Sequence, residues 1–519
     1  NFLQSKFISV DLFAVSPVDE SQEKTPMVRR AGQAGEAPQL MTTFAVGEEA
    51  EAAGDAVIRE VGQVAAPIER AAPVLRPGST VRVDAVVRTR AIGHFFPGGT
   101  VDAFDIWLEL QARDAQGKVI FWSGRVEDGA NGPGTGPVEP GAHFYRSYAL
   151  DGEGNPIDKR NAWQARSMLY VRLIPPGAAD VAHYRVKIPA DAAGPITFTA
   201  KLNYRKFSHY YTQFAYAGQP KPGQSGSGQA GQSKLLLSPS HNSLAYSFDP
   251  ANIPQNVSGK IKGQIPDLPI ITLASDEVRI ATDPDPAVPT VWQPKVAKED
   301  RERWNDWGIG MLLQGDLKGA EYAFQRVTEA EPGYADGWLN VARALIREGE
   351  MEAARPYIQR ALSIDPSLGR IHFFKAMIEK SAGDYDAALA SLRTVSDKYP
   401  RDRVVLNQTA RVLFLQRQYR AALKVLEQVG QVDPEDVQMH YTAMLCWRAL
   451  GEADRSAREA TLFRRFKAEE SSQAITGERR RVSPEDNNER QQIHEHESVP
   501  LPPGRKAAPV AAATLAAGG

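Results

Sequence analysis

Hydrophobic and polar residues alternate along several short segments in the N-terminal part of the chain. These segments are rich in β-branched and aromatic residues and are bounded by Gly, Pro and Asp, a pattern that predicts strands. The opening residues 2–15 have the same character and are expected to close one edge of a sheet. Six further strands are predicted over residues 81–89, 104–114, 118–124, 167–174, 181–189 and 195–207. Together they predict an antiparallel β-sandwich of immunoglobulin-like architecture, with residues 1–15 as its opening strand and 73–216 as its body.

From residue 301 to residue 470 the pattern has a period of 34 positions. A small residue lets two helices approach, a Gly ends the first helix with φ > 0, and a Pro stops the second. The recurring residues are Ala320, Ala354, Ala388 and Ala422, continued by Ser456; Gly315, Gly349, Gly383 and Gly451, with Arg417 in the fourth slot; and Pro332, Pro366, Pro400 and Pro434. This segment resembles tetratricopeptide repeats, which implies an α-solenoid of five helical hairpins. The fold class is therefore multidomain β + α.

A solenoid of this kind has a concave groove that holds another polypeptide. We expect protein partners to bind there, and no catalysis is implied. The candidate groove residues are Trp304, Asn305, Asn340, Arg343, Lys375, Asn407 and Arg411.

The segments between these units lack clear periodicity. Residues 16–72 are interpreted as a partly irregular insertion with one helix near 50–64. Residues 217–300 are interpreted as a flexible Gly/Ser/Gln-rich loop, 218–234, followed by an extended Pro-rich connector. The charged and then Ala/Gly-rich tail, residues 471–519, is expected to be disordered or to dock on a partner.

Composition and motif content argue against several classes of function. The net charge of −2 over 519 residues argues against sequence-independent nucleic-acid binding, and no apolar run approaches the roughly 20 residues that span a bilayer. The single cysteine, Cys446, excludes an internal disulfide and any Cys-X-X-Cys-His haem attachment site. No nucleophile–base pair or carboxylate dyad can be placed from spacing, so we expect no enzyme. The start at Asn1, without Met or a signal-peptide pattern, suggests a cut or processed end.

Several short motifs suggest chemistry, but each has a simpler interpretation. Residues 226–233, GSGQAGQS, have the glycine spacing of a phosphate loop, but Gln232 stands where the lysine is needed, which favours a linker. His494 and His496 are interpreted as part of a solvated tail rather than as a metal site, so no metal is predicted. Asn256 lies in a glycosylation sequon. Five loop residues suggest calcium ligands, with an Asx-type turn preferred: Asp102, Asp105, Asp151, Asn155 and Asp158.

Four strings in the predicted sandwich carry a second resemblance: AIGHFFPGGTVDAFDIWLEL, FWSG, PGAHFYRSYALDGEGNPIDKRNAW and RLIPPGAADVAHYRVKIP. Over about residues 74–216 they resemble a β-rich module that follows the haem-bearing part of certain bacterial multihaem c-type cytochromes, some of which continue into tetratricopeptide repeats. The resemblance implies haem c on an upstream segment or a partner, export to the periplasm or outside the cell, and an electron-transfer assembly. No haem-attachment motif occurs here, so no haem is covalently held by this chain.

Histidines of this module are candidate distal haem ligands, because an imidazole near a strand end can reach a haem carried elsewhere. His94 is the first candidate, ahead of His143, His183 and His209, although each is also consistent with a turn residue. The predicted function is a non-catalytic, protein-binding component of an exported, cytochrome-associated assembly. The alternative is a haem-independent scaffold or adhesion protein with the same two units.

Overall fold

The structure, a computed structural model, describes residues 7–18, 27–29, 56–58, 61–221, 246–249, 251, 253, 264–285, 287–467 and 471–501. It has a β-rich N-terminal region followed by a long helical region. The strands, in chain order, are β1 (Ile8–Pro17), β2 (Met27–Arg29), β3 (Ala56–Ile58), β4 (Val74–Leu75), β5 (Thr80–Thr89), β6 (Asp105–Arg113), β7 (Val119–Ser123), β8 (His143–Phe144), β9 (Ser147–Leu150), β10 (Ser167–Val171), β11 (Ala179–Lys187), β12 (Ile196–Arg205), β13 (Gly218–Pro220), β14 (Tyr246–Phe248), β15 (Ile270–Thr282) and β16 (Glu495–His496).

Two large sheets form the core of the β-rich region, and the described ranges also contain three two-stranded sheets, β9 with β10, β13 with β14 and β2 with β3. The first has the strand order β1-β5-β11-β16, and the second has the order β4-β15-β12-β6-β7, with β8 also paired to β6. Pairing is antiparallel except for β11 with β16 and β15 with β4. Apolar side chains from both sheets, such as Leu12, Val83, Leu108 and Phe198, pack in one core from which solvent is excluded. The two sheets therefore lie face to face around shared apolar residues.

The helices, in chain order, are α1 (Ile68–Ala71), α2 (His209–Ala217), α3 (Arg301–Leu313), α4 (Leu317–Ala330), α5 (Ala335–Glu348), α6 (Met351–Ile364), α7 (Gly369–Ala382), α8 (Tyr385–Ser396), α9 (Arg403–Leu415), α10 (Tyr419–Val432), α11 (Val437–Ala449), α12 (Ala453–Phe466), α13 (Ser471–Val482) and α14 (Pro484–Arg490). From α3 to α12 each helix packs against the next. None of the helices in the described ranges is both long and apolar enough to cross a membrane.

The residues that recur every 34 positions occupy the predicted local conformations. Gly315, Gly349, Gly383 and Gly451 have φ between 79° and 89°, and Arg417 adopts the same left-handed region with φ of 63°. The alanines Ala320, Ala354, Ala388 and Ala422 are completely buried between helices. Local stereochemistry thus ends the first helix of each pair, and small side chains allow the second to pack closely.

The first sheet is buried on both faces. Val83 and Ala85 of β5 face the second sheet, whereas Val86 of the same strand packs against Trp304 and Trp307 of α3. Along β1, the residues Leu12 to Val15 form an uninterrupted apolar run, which is the pattern expected of a strand covered on both sides. The helical region is therefore docked directly on the sheet through its first helix.

Three segments of the β-rich region differ from the sequence predictions. The opening strand is Ile8–Pro17, paired to β5. No helix forms over the described part of 50–64, because Ala56–Ile58 pairs with Met27–Arg29 as a strand. The connector contains the 13-residue strand β15, which pairs with β12 through ten residues and belongs to the second sheet. Charged residues within β15 interrupt the alternation of apolar and polar positions, so no long strand was predicted there. Its extended structure is instead stabilised by pairing with β12.

The C-terminal tail is also different from its prediction. Residues 471–501 fold into α13, α14 and β16, and β16 adds to the first sheet beside β11. The tail docks on the chain's own β-rich region, because the exposed edge of β11 offers backbone hydrogen bonds. Residues 502–519 lie outside the described ranges, as do Asn256 and the phosphate-loop-like motif. Within the predicted loop 218–234, the first three residues form β13, paired to β14.

Candidate functional site

The candidate groove residues divide into a buried set and an accessible pair. Trp304 is completely buried, with its ring 4.9 Å from that of Phe13 in an edge-to-face contact. It belongs to the junction between α3 and β1 and does not line a groove. The prediction for Trp304 is therefore wrong, because the sheet covers the face of α3 that was expected to be open.

Four other candidates form buried hydrogen bonds. Asn305 Oδ1 accepts a hydrogen bond of 3.0 Å from Asn340 Nδ2, and Asn340 Oδ1 accepts one of 2.7 Å from Arg343 Nη1. Asn407 Nδ2 donates to both carboxylate oxygens of Asp436 at 3.2 Å. These side chains are at most 9% exposed, and their hydrogen bonds link α3 to α5 and α9 to the start of α11, while Asn407 Oδ1 has no partner among the described residues.

Lys375 and Arg411 are the accessible candidates. Lys375 is 38% exposed and pairs with Glu379, while its Nζ donates to Ser391 Oγ at 3.0 Å. The guanidinium of Arg411 lies 5.4 Å from the ring centre of Phe414, and its Nη1 has no hydrogen-bond partner among the described residues. Arg411 is thus a cation whose charge no carboxylate in the described part of the chain neutralises.

The junction between the first sheet and α3 contains a buried polar network. Trp307 Nε1 donates to Asp84 Oδ2 at 3.1 Å, and His183 bridges Asp84 Oδ1 at 2.7 Å and Gln314 Oε1 at 2.9 Å. Burial alone would raise the pKa of Asp84, but the charges of Arg82 and His183 and the hydrogen bonds it accepts hold that pKa well below its ordinary value. Asp84 is therefore an ionised acceptor that joins the two regions.

The histidines of the sandwich region have separate roles. His94 is exposed, and its Nδ1 lies 2.7 Å from the carbonyl oxygen of Phe95. His183 belongs to the junction network, and His209 lies in the first turn of α2, where its Nε2 is 3.5 Å from Gln213 Nε2. His143 is buried, with Nε2 2.8 Å from Asp180 Oδ2, and burial lowers its pKa to about 4. Of these four histidines, His94 is exposed, His209 is half-buried, and His143 and His183 are buried.

The five candidate calcium ligands are not brought together. Asp151 Oδ1 accepts hydrogen bonds from the backbone nitrogens of Glu153 and Asn155 at 2.8 and 2.9 Å, which is an Asx-type turn. Asp105 forms a buried ion pair of 2.6 Å with Arg205. Within the described ranges, these carboxylates therefore stabilise separate loops and strand ends.

Sequence reasoning missed a buried cluster around the C-terminal segment. His494 and His496 are 8% and 1% exposed, so they are not part of a solvated tail. His496 Nε2 lies 2.9 Å from His143 Nδ1, and Glu489 lies beside both residues of the tail. The HEHE sequence at residues 494–497 indicated possible metal ligands, but it did not indicate that the tail folds onto the sheet.

Comparison with known proteins identifies the helical region. The tetratricopeptide repeat family model matches residues 311–378 and 380–445. Tetratricopeptide repeat protein 16 of Mus musculus is 28% identical over 126 residues, which are 23% of this chain and 16% of that protein. Superkiller protein 3 of Schizosaccharomyces pombe is 23% identical over 165 residues, which are 30% of this chain and 12% of that protein. The chain thus spans less than a fifth of the length of either relative.

Two solved structures resemble the same region. MamA 41-end from Desulfovibrio magneticus RS-1 has a TM-score of 0.31 at 15% identity and covers 33% of this chain and 96% of its own. A Pseudomonas aeruginosa pilF structure has a TM-score of 0.31 at 16% identity and covers 36% of this chain and 93% of its own. It is the family match that shows tetratricopeptide repeats in this chain, over residues 311–378 and 380–445, behind a β-rich N-terminal region.

Proposed function

We propose that this chain is a non-catalytic scaffold whose helical repeats bind an acidic segment of another protein. Arg411 carries the proposal, because its side chain is half-buried, no carboxylate in the described ranges pairs with it, and its buried Nη1 has no hydrogen-bond partner there. A carboxylate from a partner would supply a charge-assisted, bidentate hydrogen bond, the strongest interaction that an arginine offers. Lys375, on the earlier helix α7, adds a second accessible cation, an ammonium group.

A site-specific crosslinker tests the docking surface. We expect a photoreactive residue at position 375, with Arg411 retained, to capture a partner polypeptide from native extract. The matched control for Arg411 is Arg420, an exposed arginine on α10 of the same helix pair. In the chain with the probe at position 375, Arg411→Glu should abolish the captured band, whereas Arg420→Glu should retain it. An equal effect of the two substitutions would contradict the assignment.

We also propose that the ten helices from α3 to α12 are five hairpins and that the two sheets have immunoglobulin-like architecture. Consecutive packing of the helices and the shared core of the sheets support this description. The only cysteine, Cys446, is buried, and burial raises the pKa of its thiol to about 11, so it offers no nucleophile at neutral pH. A role without catalysis agrees with that environment.

The finer proposal is that the scaffold belongs to an exported, cytochrome-associated electron-transfer assembly, in the periplasm or outside the cell. His94 is the observation that favours it. Haem-ligating and metal-ligating histidines usually donate one ring nitrogen to a carbonyl oxygen, and His94 Nδ1 is 2.7 Å from the Phe95 oxygen. This arrangement leaves Nε2 of an exposed ring for the iron of a haem carried by an upstream segment or a partner.

Absorption spectroscopy of the native assembly tests this finer proposal. We expect a c-type haem spectrum that shifts when His94 is replaced by Met, because the axial ligand sets both absorption and potential. The control His209→Met lies in the same region and should leave the spectrum unchanged. A native assembly without haem would favour the alternative, a haem-independent scaffold or adhesion protein. An unchanged spectrum in His94→Met would remove only the ligand role.

A further inference from the structure

Three histidines and one glutamate meet in a buried group, which we call the histidine cluster. Its members are His143 on β8, Glu489 in α14, His494, and His496 on β16. One potential ligand atom from each residue lies within 4.8 Å of those of the other three. His494 is 8% exposed and the other three are 1% exposed. Four potential ligands for a cation therefore converge where bulk water does not reach.

The outer nitrogen of each ring faces a hydrogen-bond acceptor. His143 Nε2 lies 2.8 Å from Asp180 Oδ2, His496 Nδ1 lies 2.9 Å from the Gly141 oxygen, and His494 Nδ1 lies 2.7 Å from the Gln491 oxygen. Because carbonyl and carboxylate oxygens only accept, each outer nitrogen must carry the proton of its ring. In neutral imidazoles the inner nitrogens then present lone pairs to the centre of the cluster.

Two of these inner nitrogens face each other with no donor between them, whereas the third, His494 Nε2, accepts from Arg172 Nη2 at 3.2 Å. His143 Nδ1 and His496 Nε2 lie 2.9 Å apart, so two lone pairs would face each other at hydrogen-bond distance. Glu489 Oε1 is buried without a hydrogen-bond partner, 3.3 Å from the inner nitrogen Nε2 of His494 and 3.5 Å from the outer, proton-bearing Nδ1 of His496. Acceptors that face one another in a buried site are costly unless a cation or a proton lies between them.

Arg172 is the cationic side chain in contact with the cluster. It contacts Glu489 Oε2 at 2.5 Å and the Glu489 carbonyl oxygen at 2.8 Å, and its Nη2 lies 3.2 Å from His494 Nε2. The guanidinium thus holds Oε2 and leaves Oε1 directed towards the imidazoles. It does not lie between His143 and His496, so it does not resolve the opposition of their lone pairs.

We propose that His143, Glu489, His494 and His496 bind one divalent transition-metal ion of the Zn²⁺ class. Three imidazole nitrogens and one carboxylate oxygen are a donor set that Zn²⁺ accepts in tetrahedral geometry. Nitrogen ligands about 2.0 to 2.1 Å from a tetrahedral zinc are roughly 3.3 Å apart. The pair at 2.9 Å must therefore separate slightly, and the most distant of the four atoms, which lie within 4.8 Å of one another, must approach. Because all four ligands come from the protein and are buried, the ion is structural rather than catalytic.

The ion would fasten the C-terminal segment to the β-rich region. Glu489, His494 and His496 lie in that segment, whereas His143 lies on β8. Asp180 connects the histidine cluster to the helical region. It orients His143 and also accepts a hydrogen bond of 3.3 Å from Gln314 Nε2, just after α3. Metal binding is therefore expected to stabilise both the tail and the polar network at the sheet–helix junction.

Metal analysis of the untagged, full-length chain tests the proposal. After removal of metal with a chelator, we expect one Zn²⁺ to bind per chain and Co²⁺ to give the intense visible absorption of four-coordinate cobalt. Zn²⁺ should also slow proteolytic release of residues 471–501 at least tenfold. Absence of stoichiometric Zn²⁺ and Co²⁺ binding by the folded wild-type chain would overturn the proposal and leave a proton-bridged cluster.

Variants separate this site from adventitious binding. His496→Gln and Glu489→Gln should each abolish the cobalt absorption, and Asp180→Asn should weaken Zn²⁺ binding about 10- to 100-fold through its effect on His143. The control is His372→Gln on α7, whose ring contacts the Pro366 oxygen far from the cluster in sequence, and it should bind like wild type. Wild-type cobalt absorption in both cluster variants would overturn the assignment. Where a variant fails to fold, metal-dependent protection of the wild-type tail decides.

Discussion

At the scale of single residues, buried charges and special backbone angles have measurable consequences. Glu139 is only 6% exposed, its Oε1 accepts a hydrogen bond of 3.3 Å from Ser123, and its Oε2 has no partner among the described residues. Burial raises the pKa of Glu139 to about 7. A carboxyl group with a raised pKa favours folding at low pH and opposes it once the unfolded chain ionises.

Replacing Glu139 with Gln should therefore remove a pH dependence. As the pH rises from 4.5, the ordinary pKa of Glu, to about 7, the pKa of Glu139 in the folded chain, the unfolding free energy of the wild type should fall by up to about 3 kcal/mol. The variant has no carboxyl group at this position and should not show this loss. The two proteins should be similar at pH 4.5, and Glu139→Gln should be the more stable at pH 8. Urea denaturation at both pH values measures the difference, and parallel pH profiles would contradict it.

Arg417 adopts a conformation that suits glycine. Its φ of 63° places Cβ against the backbone, whereas Gly383 adopts the equivalent turn without this cost. We expect Arg417→Gly to raise the unfolding free energy by about 0.5 to 1 kcal/mol, after the larger entropy loss of glycine is subtracted. Gly383→Arg should lower it by about 1 to 2 kcal/mol. Chemical denaturation checks both, and opposite signs would refute the explanation.

At the scale of elements, the helix pairs depend on small residues where two helices meet. Ala354 in α6 is completely buried, while its neighbour Ala353 faces solvent. This contrast gives a matched pair of positions on one helix, because the same substitution adds the same atoms in a packed site and in an open one. A difference in stability between the two variants then reports the packing of the helix pair rather than helix propensity.

Ala354→Phe should reduce the unfolding free energy by about 1 to 3 kcal/mol, because the added phenyl ring cannot fit between α5 and α6 without displacement. Ala353→Phe should change it by no more than about 0.5 kcal/mol. Thermal or chemical denaturation distinguishes them. A similar stability for the two variants would show that Ala354 is not a close-packing position.

At the scale of the whole molecule, the sheet and the repeats are joined by one apolar and ionic interface. Phe13 contacts Trp304 and Trp307 at ring distances of 4.9 and 5.6 Å. Around these rings, Arg303 donates to both carboxylate oxygens of Asp11 at 2.8 Å, and Arg88 pairs with Asp306. We therefore expect the two regions to unfold as a coupled unit.

Trp304→Ala should weaken that coupling. Removal of a fully buried indole should cost about 3 to 5 kcal/mol and leave a cavity between β1 and α3. Calorimetry should then resolve separate transitions for the β-rich and helical regions. The control Trp338→Ala removes a partly exposed indole from α5 and should retain a single transition. Retention of the wild-type transition in Trp304→Ala would refute the coupling.

The sequence alone predicted the repeats and seven of the sixteen strands in the described ranges, because those features depend on neighbours along the chain. Residues such as Ala354, Gly383 and Pro400 each recur at intervals of 34 positions. The glycines and prolines specify the ends of helices, the alanines specify close contacts between helices, and the family match confirms the repeats. Alternation of apolar residues similarly located β5, β6, β11 and β12 to within two residues of their ends. Local stereochemistry and periodic burial were sufficient for these elements.

Tertiary structure decided what depends on contacts between distant segments. The polar strand β15 is specified by its pairing with β12, and Trp304 is buried because a strand near the N-terminus covers it. His143 and His496 are 353 positions apart, and neither has a sequence context that indicates the other. A cluster of this kind forms only when the tail adds to the edge of β11, because the pairing register, not the local sequence, brings the imidazoles together.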